Sequence, residues 1–277
     1  MAQIQDSIAM YGEIETVEVV RQRIQHANEA NAGARITHLD PKLLQANKTR
    51  SLAELLTDYT SIYIKSLGLG ALSTASFRGA SPAQTRVNWN GINITPPMSG
   101  TFDFSQIPVF FTDNINLYYG SSHVKNGTGA IGGSVNLFTD TEWNRGVNGR
   151  IITEYGSYNT YTAGGQVNIS GQRAASKTRL YYQHSDNDYT YLNKVLTSNP
   201  FREKREDASY SQLGAMQEGY FRLSPHTRLT TVAWYQESKR ELPQPLGVET
   251  VHTKNRKKRI SEDTAVWISA GESTNFM

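Results

Sequence analysis

The chain has no cysteine in its 277 residues, which removes disulfide scaffolds, thiolate metal sites and cysteine nucleophiles together. It also has no apolar run near the ~18 residues that a transmembrane helix needs. An excess of charge of one sign is also lacking. Lys and Arg number 28 against 25 Asp and Glu, a net +3 that is too small to mark a nucleic-acid surface. Catalytic constellations are missing as well. The six histidines (His26, His38, His123, His184, His226, His252) show no metal-ligand spacing, and no serine stands in a nucleophile elbow. No enzyme activity, cofactor or metal is therefore expected. The first 12 residues have neither a basic start nor an apolar core segment, so an export signal is expected to have been removed or to lie outside this sequence.

What is present is tyrosine, 15 residues of it, with 22 glycines and many Asn, Thr and Ser. That is the vocabulary of strands and turns, and tyrosine suits membrane interfaces. A mean hydropathy of −0.52 reads as water-soluble. A barrel that crosses a membrane with strands gives the same reading, because it alternates lipid-facing and lumen-facing residues.

The pattern divides the chain in three. Residues 1–35 are polar and flexible in composition, apart from a β-prone patch at Thr16, Val17, Glu18, Val19 and Val20. Residues 36–140 read as a compact α/β unit. Ser51 and Glu54 form a capping box ahead of Leu52, Leu55, Leu56 and Tyr59, which predicts a helix ending near Thr60. Asn90-Gly91 between Trp89 and Ile92 predicts a hairpin, and strands are expected at 115–119 and 135–138. From 145 to 277 the pattern changes to long alternating strands. In 161–170, Tyr161, Ala163, Val167 and Ile169 share one face and Thr162, Gln166, Asn168 and Ser170 the other. Lys177, Arg179, Tyr181 and Gln183 oppose Leu180 and Tyr182 in the next strand. In 228–237 the pairs Leu229/Tyr235 and Val232/Trp234 compete for the outer face. Short turns at 173–176 and 224–227 alternate with long connections at 190–208 and 240–259, the asymmetry expected between the periplasmic and outer ends of a barrel. The short connection at 156–159 departs from it.

Gly127-Thr128-Gly129-Ala130-Ile131-Gly132 matches a dinucleotide fingerprint, but it leads into the β-pattern Gly133-Ser134-Val135-Asn136-Leu137 instead of a helix, so no pyrophosphate site follows. The same residues, with Ile115 to Ser122 before them, resemble the closing segment of the plug domain of TonB-dependent outer-membrane receptors. Phe77-Arg78-Gly79 looks like that family's Arg-Gly strand motif, 89–92 like its hairpin, 103–108 like its Ile-Pro segment and 52–55 like its opening helix. The elements stand in family order across residues 50–140. The expected fold is thus an α/β plug domain followed by an incomplete antiparallel transmembrane β-barrel, with the first five to six strands of about 22.

The resemblance carries further expectations. Its plug motif falls on Arg78, Gly79, Asn90, Gly91, Gly120, Gly127, Gly129, Gly132, Gly133 and Asn136. The patch Thr16 to Val20 is similar to the TonB box, an extended segment captured by the periplasmic protein TonB through strand addition. Ligand-facing plug loops are expected at Leu67, Gly68, Leu69, Asn93, Thr95, Met98 and Ser99. The implied function is energised uptake of a large scarce ligand (cobalamin, siderophore, haem or glycan) across the outer membrane of a Gram-negative bacterium. The plug gates the lumen, and the uncharged loops favour cobalamin or another large neutral ligand. Outer-membrane lipid, lipopolysaccharide and a surface lipoprotein are the further partners implied; nucleic acid is not. Where the family carries charged lock residues this sequence has Asn116, Tyr119 and Gly120, which puts the family's plug–barrel lock in doubt. The basic run 254–259 reads as a solvated outer loop. The alternatives are a passive outer-membrane or adhesion β-protein, and a soluble carbohydrate-binding β-domain. Several hundred further residues would complete such a barrel, so the sequence reads as a truncated gene, a gene-call fragment or part of a split protein.

Overall fold

The computed structural model describes residues 35–120, 130–194, 201–224, 227–241 and 243, and the backbone alone at 259–264 and 269–274. Two structures are built from it, a small mixed α/β unit and a curved wall of antiparallel strands against which that unit packs.

The smaller unit opens with strand β1 (Arg35–His38) and two helices, α1 (Pro41–Ala46) and α2 (Leu52–Tyr59). The capping box at the start of α2 is present as the sequence predicts. Ser51 Oγ accepts from the Glu54 amide, and Glu54 Oε2 accepts from the Ser51 amide at 2.9 Å. Its apolar stripe buries Leu52, Leu55 and Leu56 completely. A hairpin of β2 (Tyr63–Ser66) and β3 (Ser73–Ser76) follows, then β4 (Thr85–Trp89), the short β5 (Ile92–Asn93), β6 (Asn114–Tyr119) and β7 (Gly133–Phe138). The main sheet runs β1-β6-β7-β4-β5, with β4 and β7 parallel and every other pair antiparallel. Asn90 and Gly91 take φ of 47° and 84°, the left-handed pair that a two-residue hairpin turn requires.

The wall consists of β8 (Gly146–Gly156), β9 (Thr160–Ser170), β10 (Ala174–Ser185), β13 (Tyr210–Arg222) and β14 (Thr227–Glu241). A side hairpin of β11 (Thr190–Asn193) and β12 (Phe201–Lys204) occupies the long connection between β10 and β13. Strands β15 (Arg259–Thr264) and β16 (Ser269–Thr274) both pair antiparallel with β14, one along each half, and so act as one interrupted sixth strand. Among the described residues the sheet does not close, and β8 has a neighbour on one side only.

Alternation decides the two faces. Outward stand Val147, Ile151, Tyr155, Val167, Ile169, Leu180, Leu213 and Phe221. Inward, Lys177, Arg179, Tyr181, Gln212, Met216 and Glu218 are buried against the smaller unit. The ambiguity over β14 is settled the same way: Val232 and Trp234 point inward and Tyr235 outward. Trp234 faces inward because it packs on Trp89 of the smaller unit, with ring centroids 5.0 Å apart.

Candidate functional site

The site is the surface where the small unit seats in the wall, centred on the 3-10 turn Val109–Phe111. Helix α2 places that turn. Leu52 N donates to the Ile107 carbonyl at 2.7 Å and Val109 N to the Arg50 carbonyl at 2.9 Å, so the chain around the capping box holds the turn from behind. Phe110 and Phe111 then project into the wall. The Phe111 ring lies 6.1 Å from that of Tyr181 and 6.5 Å from that of Trp234. It fits because residue 214 of β13 is glycine: a Cβ there would stand 2.7 Å from Phe111 Cζ.

The turn presents a row of carbonyl oxygens to the interface, and two cations meet them. Lys48 Nζ donates to the Val109 carbonyl at 3.3 Å and to that of Thr112. Arg179 Nη1, from the wall, donates to the Phe110 carbonyl at 3.3 Å and to that of Phe111. Asp113 completes the cluster. Its Oδ2 lies 2.5 Å from Arg179 Nη2 and 3.0 Å from Lys177 Nζ, and it accepts the Asp140 amide at 3.0 Å. Arg179 is fully buried, and its Nε sits 3.5 Å from Glu218 Oε2, an ion pair without a hydrogen bond. The other Glu218 oxygen accepts the Tyr220 hydroxyl at 2.8 Å. Buried charges are tolerated only when matched in this way.

Protonation follows from the geometry. Burial works against charge on Asp113, but Arg179, Lys177 and Lys48, with the Asp140 amide, outweigh it and hold the carboxyl at about 2. Burial dominates at Lys48 and brings its ammonium down to about 7, opposed by Asp113 and assisted by Arg179, Arg150 and Lys177. Polar pins surround this centre. Tyr181 Oη donates to the Thr49 carbonyl at 3.0 Å, Gln212 Nε2 to the Gln106 carbonyl at 2.7 Å, and Arg240 Nη1 to Asp103 Oδ2 at 3.4 Å.

The doubt over the lock is answered by a different set of charges. Asn116, Tyr119 and Gly120 carry no charge, but the cluster uses Asp113 on the plug and Lys177 and Arg179 on the wall instead. Sequence reading placed Lys177 and Arg179 on the polar face of their strand and overlooked Asp113, Lys48 and Glu218. The signal it could have used was two cations at alternate positions of one lumen-facing row, beside a lone carboxylate at the entrance to β6.

The described plug-motif residues make backbone and packing contacts within the smaller unit. Asn136 is buried in the middle of its sheet, where its Oδ1 accepts from Asn88 Nδ2 at 2.9 Å. Gly133 faces Phe77 so closely that a Cβ would stand 2.6 Å from the ring. Gly120 N donates to the Gly132 carbonyl at 3.0 Å. Asn90 bonds Thr139 through both ends of its amide. Arg78 and Gly79 are not in a strand: β3 ends at Ser76, and both residues take positive φ in a turn closed by Ala80 N and the Phe77 carbonyl. Of the predicted ligand-facing residues, Leu67, Gly68, Asn93, Met98 and Ser99 are exposed and Leu69 is half-buried. Thr95 is buried, because its hydroxyl accepts the Val87 amide at 3.1 Å, so it belongs to the scaffold. Gly127, Gly129, Thr16 to Val20 and the basic run 254–258 lie outside the described residues.

A compact α/β unit is thus pinned by buried ion pairs to the inner face of a tyrosine-bearing strand wall, the architecture of a plug seated against part of a barrel. Comparison with known proteins agrees. Residues 28–134 match the family model described as TonB-dependent Receptor Plug Domain. The vitamin B12 transporter BtuB of Photobacterium profundum is 31% identical over 137 residues, covering 50% of this chain and 22% of that protein. Its counterpart in Vibrio cholerae is 35% identical over 128 residues, covering 45% and 20%. Among solved structures, the pyoverdine outer membrane receptor FpvA of Pseudomonas aeruginosa aligns over 79% of this chain and 29% of its own, at 15% identity and a TM-score of 0.61. The siderophore receptor PiuA of Acinetobacter baumannii aligns over 74% and 26%, at 19% identity and a TM-score of 0.55. Residues 28–134 thus carry a plug domain of the TonB-dependent receptor type. The chain spans about a fifth of the length of the curated relatives it matches.

Proposed function

We infer that this chain supplies the gate and the first part of the wall of an outer-membrane receptor for energised uptake of a large scarce ligand, with cobalamin the favoured one. The observation that carries the reading is the seat of the plug: a domain held against the lumen face by Asp113, Lys177 and Arg179 together with the packing of Trp89 and Phe111 on Trp234 and Tyr181. The exposed outward row of Val147, Ile151, Val167, Ile169 and Leu180 supports a lipid environment for that wall. The matched vitamin B12 transporters support cobalamin, as do the uncharged plug loops around Leu67 and Met98. In this reading Thr16 to Val20 is the segment that TonB grasps. The work of opening comes from the partner and the proton gradient behind it, not from chemistry in this chain. The domain limits that go with it are 1–35 for the tether, 36–140 for the plug and 145–277 for the wall.

The test is uptake of labelled cyanocobalamin by cells that depend on this protein for it. Deletion of residues 13–20 is expected to abolish uptake while surface binding persists, and an uncoupler is expected to do the same. Unchanged uptake after either treatment contradicts an energised receptor and favours a passive pore.

A further inference from the structure

We propose that Tyr210 and Arg240, direct cross-strand partners at the end of the wall where its long connections leave it, position the plug loop 66–73 to receive ligand. Both share the inward parity of Gln212, Met216, Trp234 and Gln236. Their strands are tied together beside them. Glu241 N donates to the Ser209 carbonyl at 2.8 Å, and the Ser209 hydroxyl donates to Glu241 Oε2 at 2.8 Å.

The pair grips the loop at two points. Tyr210 takes the crown: its ring lies so close to Gly70 that a Cβ there would run into it, and Gly70 holds a φ of 68° that a side chain would strain. Tyr210 is buried by this contact although it begins its strand. Arg240 takes the return limb through Asp103. Its Nη1 lies 3.4 Å from Asp103 Oδ2, a charge-assisted contact. The other oxygen, Asp103 Oδ1, accepts the Ser73 amide at 2.9 Å, the Ser105 amide at 3.0 Å and the Ser105 hydroxyl at 2.7 Å. One carboxylate thus joins the first residue of β3 to the wall.

Between the two grips the loop closes on itself. Leu67 N donates to the Leu72 carbonyl at 3.1 Å, Ala71 N to the Gly68 carbonyl at 3.1 Å and Ser73 Oγ to Ser66 Oγ at 3.0 Å. What it leaves open is apolar, with Leu67 67% and Leu72 39% exposed. A surface ordered in advance costs a ligand less to engage, and these side chains suit an apolar face of a neutral ligand. The grips are also distinct from the charge cluster, which uses Asp113, Lys177 and Arg179. The loop can therefore be freed while the plug stays seated.

The test uses the protein purified in detergent. A nitroxide on Leu67→Cys is expected to give an immobilised spectrum, and Tyr210→Ala with Arg240→Gln to make it mobile. Without the label, the same double variant is expected to bind cyanocobalamin about tenfold more weakly. Its urea midpoint for plug release should fall less than that of Arg179→Gln. Lys239→Gln, on the outward face of the same strand, is expected to change neither mobility nor affinity. Unchanged mobility or affinity in the double variant, or the same changes in Lys239→Gln, overturns the proposal. So does a fall in urea midpoint as large as that of Arg179→Gln, which would mean that the whole plug has come loose. The proposal rests on the receptor reading above but fails separately. Absence of cyanocobalamin binding by the wild-type protein counts against that reading, while the spectrum, which needs no ligand, still decides the grip.

Discussion

Asp113 of the plug stands between two cations of one wall strand, its Oδ2 2.5 Å from Arg179 and 3.0 Å from Lys177. Arg179 serves three groups at once: this carboxylate, the carbonyls of Phe110 and Phe111, and Glu218 behind it. Arg179→Gln would leave two buried carboxylates short of a cation. A loss of about 3–5 kcal/mol in plug seating is expected. Arg179→Lys should recover only part of it, because an ammonium cannot replace a planar fork. The urea midpoint for release of the plug, followed by protease sensitivity, measures both.

Acid should undo the same contact. The folded-state value of Asp113, about 2, lies below its ordinary value of 3.8, so its contribution is complete above about 4 and is lost as pH falls through 2. Plug seating is expected to weaken between pH 4 and 2 in the wild-type protein. Asp113→Asn should be weaker at pH 7 and flatter across that window.

Lys48 acts in the opposite direction. It gives up its proton near 7 in the folded protein, against 10.5 in the unfolded chain, so the unfolded state holds more protons between these values. Stability is expected to rise with pH over that range and to lose part of this slope in Lys48→Met. Urea midpoints at pH 6.5 and 9 for both proteins decide it.

Gly214 is required for steric reasons. A Cβ at this position would press on Phe111 at 2.7 Å, so Gly214→Ala is expected to cost about 1–3 kcal/mol of plug seating. Phe111→Leu in the same protein should return part of that loss, and a double-mutant cycle reads the coupling.

These contacts also show what a sequence can and cannot convey. The Ser51 capping box and the Asn90-Gly91 turn are local signals, each complete within four residues, and both stand as read. The parity of β9 and β10 was legible because apolar and polar residues oppose each other along each strand. In β14 both faces carry large apolar residues, and the choice falls to Trp89, 145 positions before Trp234 in sequence and 5.0 Å away in space. The charge cluster was hidden for the same reason: Asp113 and Arg179 have no local pattern in common. Thr95 misled because a Pro-flanked loop residue reads as exposed, whereas its hydroxyl caps the Val87 amide.

The central claim is that the plug is a separate gate that must move for ligand to pass. These 277 residues hold no cysteine, and Gln106→Cys with Gln236→Cys places a pair across the seat, where Gln236 Nε2 donates to the Gln106 carbonyl. Labelled cyanocobalamin uptake is then measured before and after reduction. The expected result is binding without uptake while the disulfide is closed, and uptake restored when it is reduced. Uptake at the same rate through the oxidised, cross-linked protein would contradict the account.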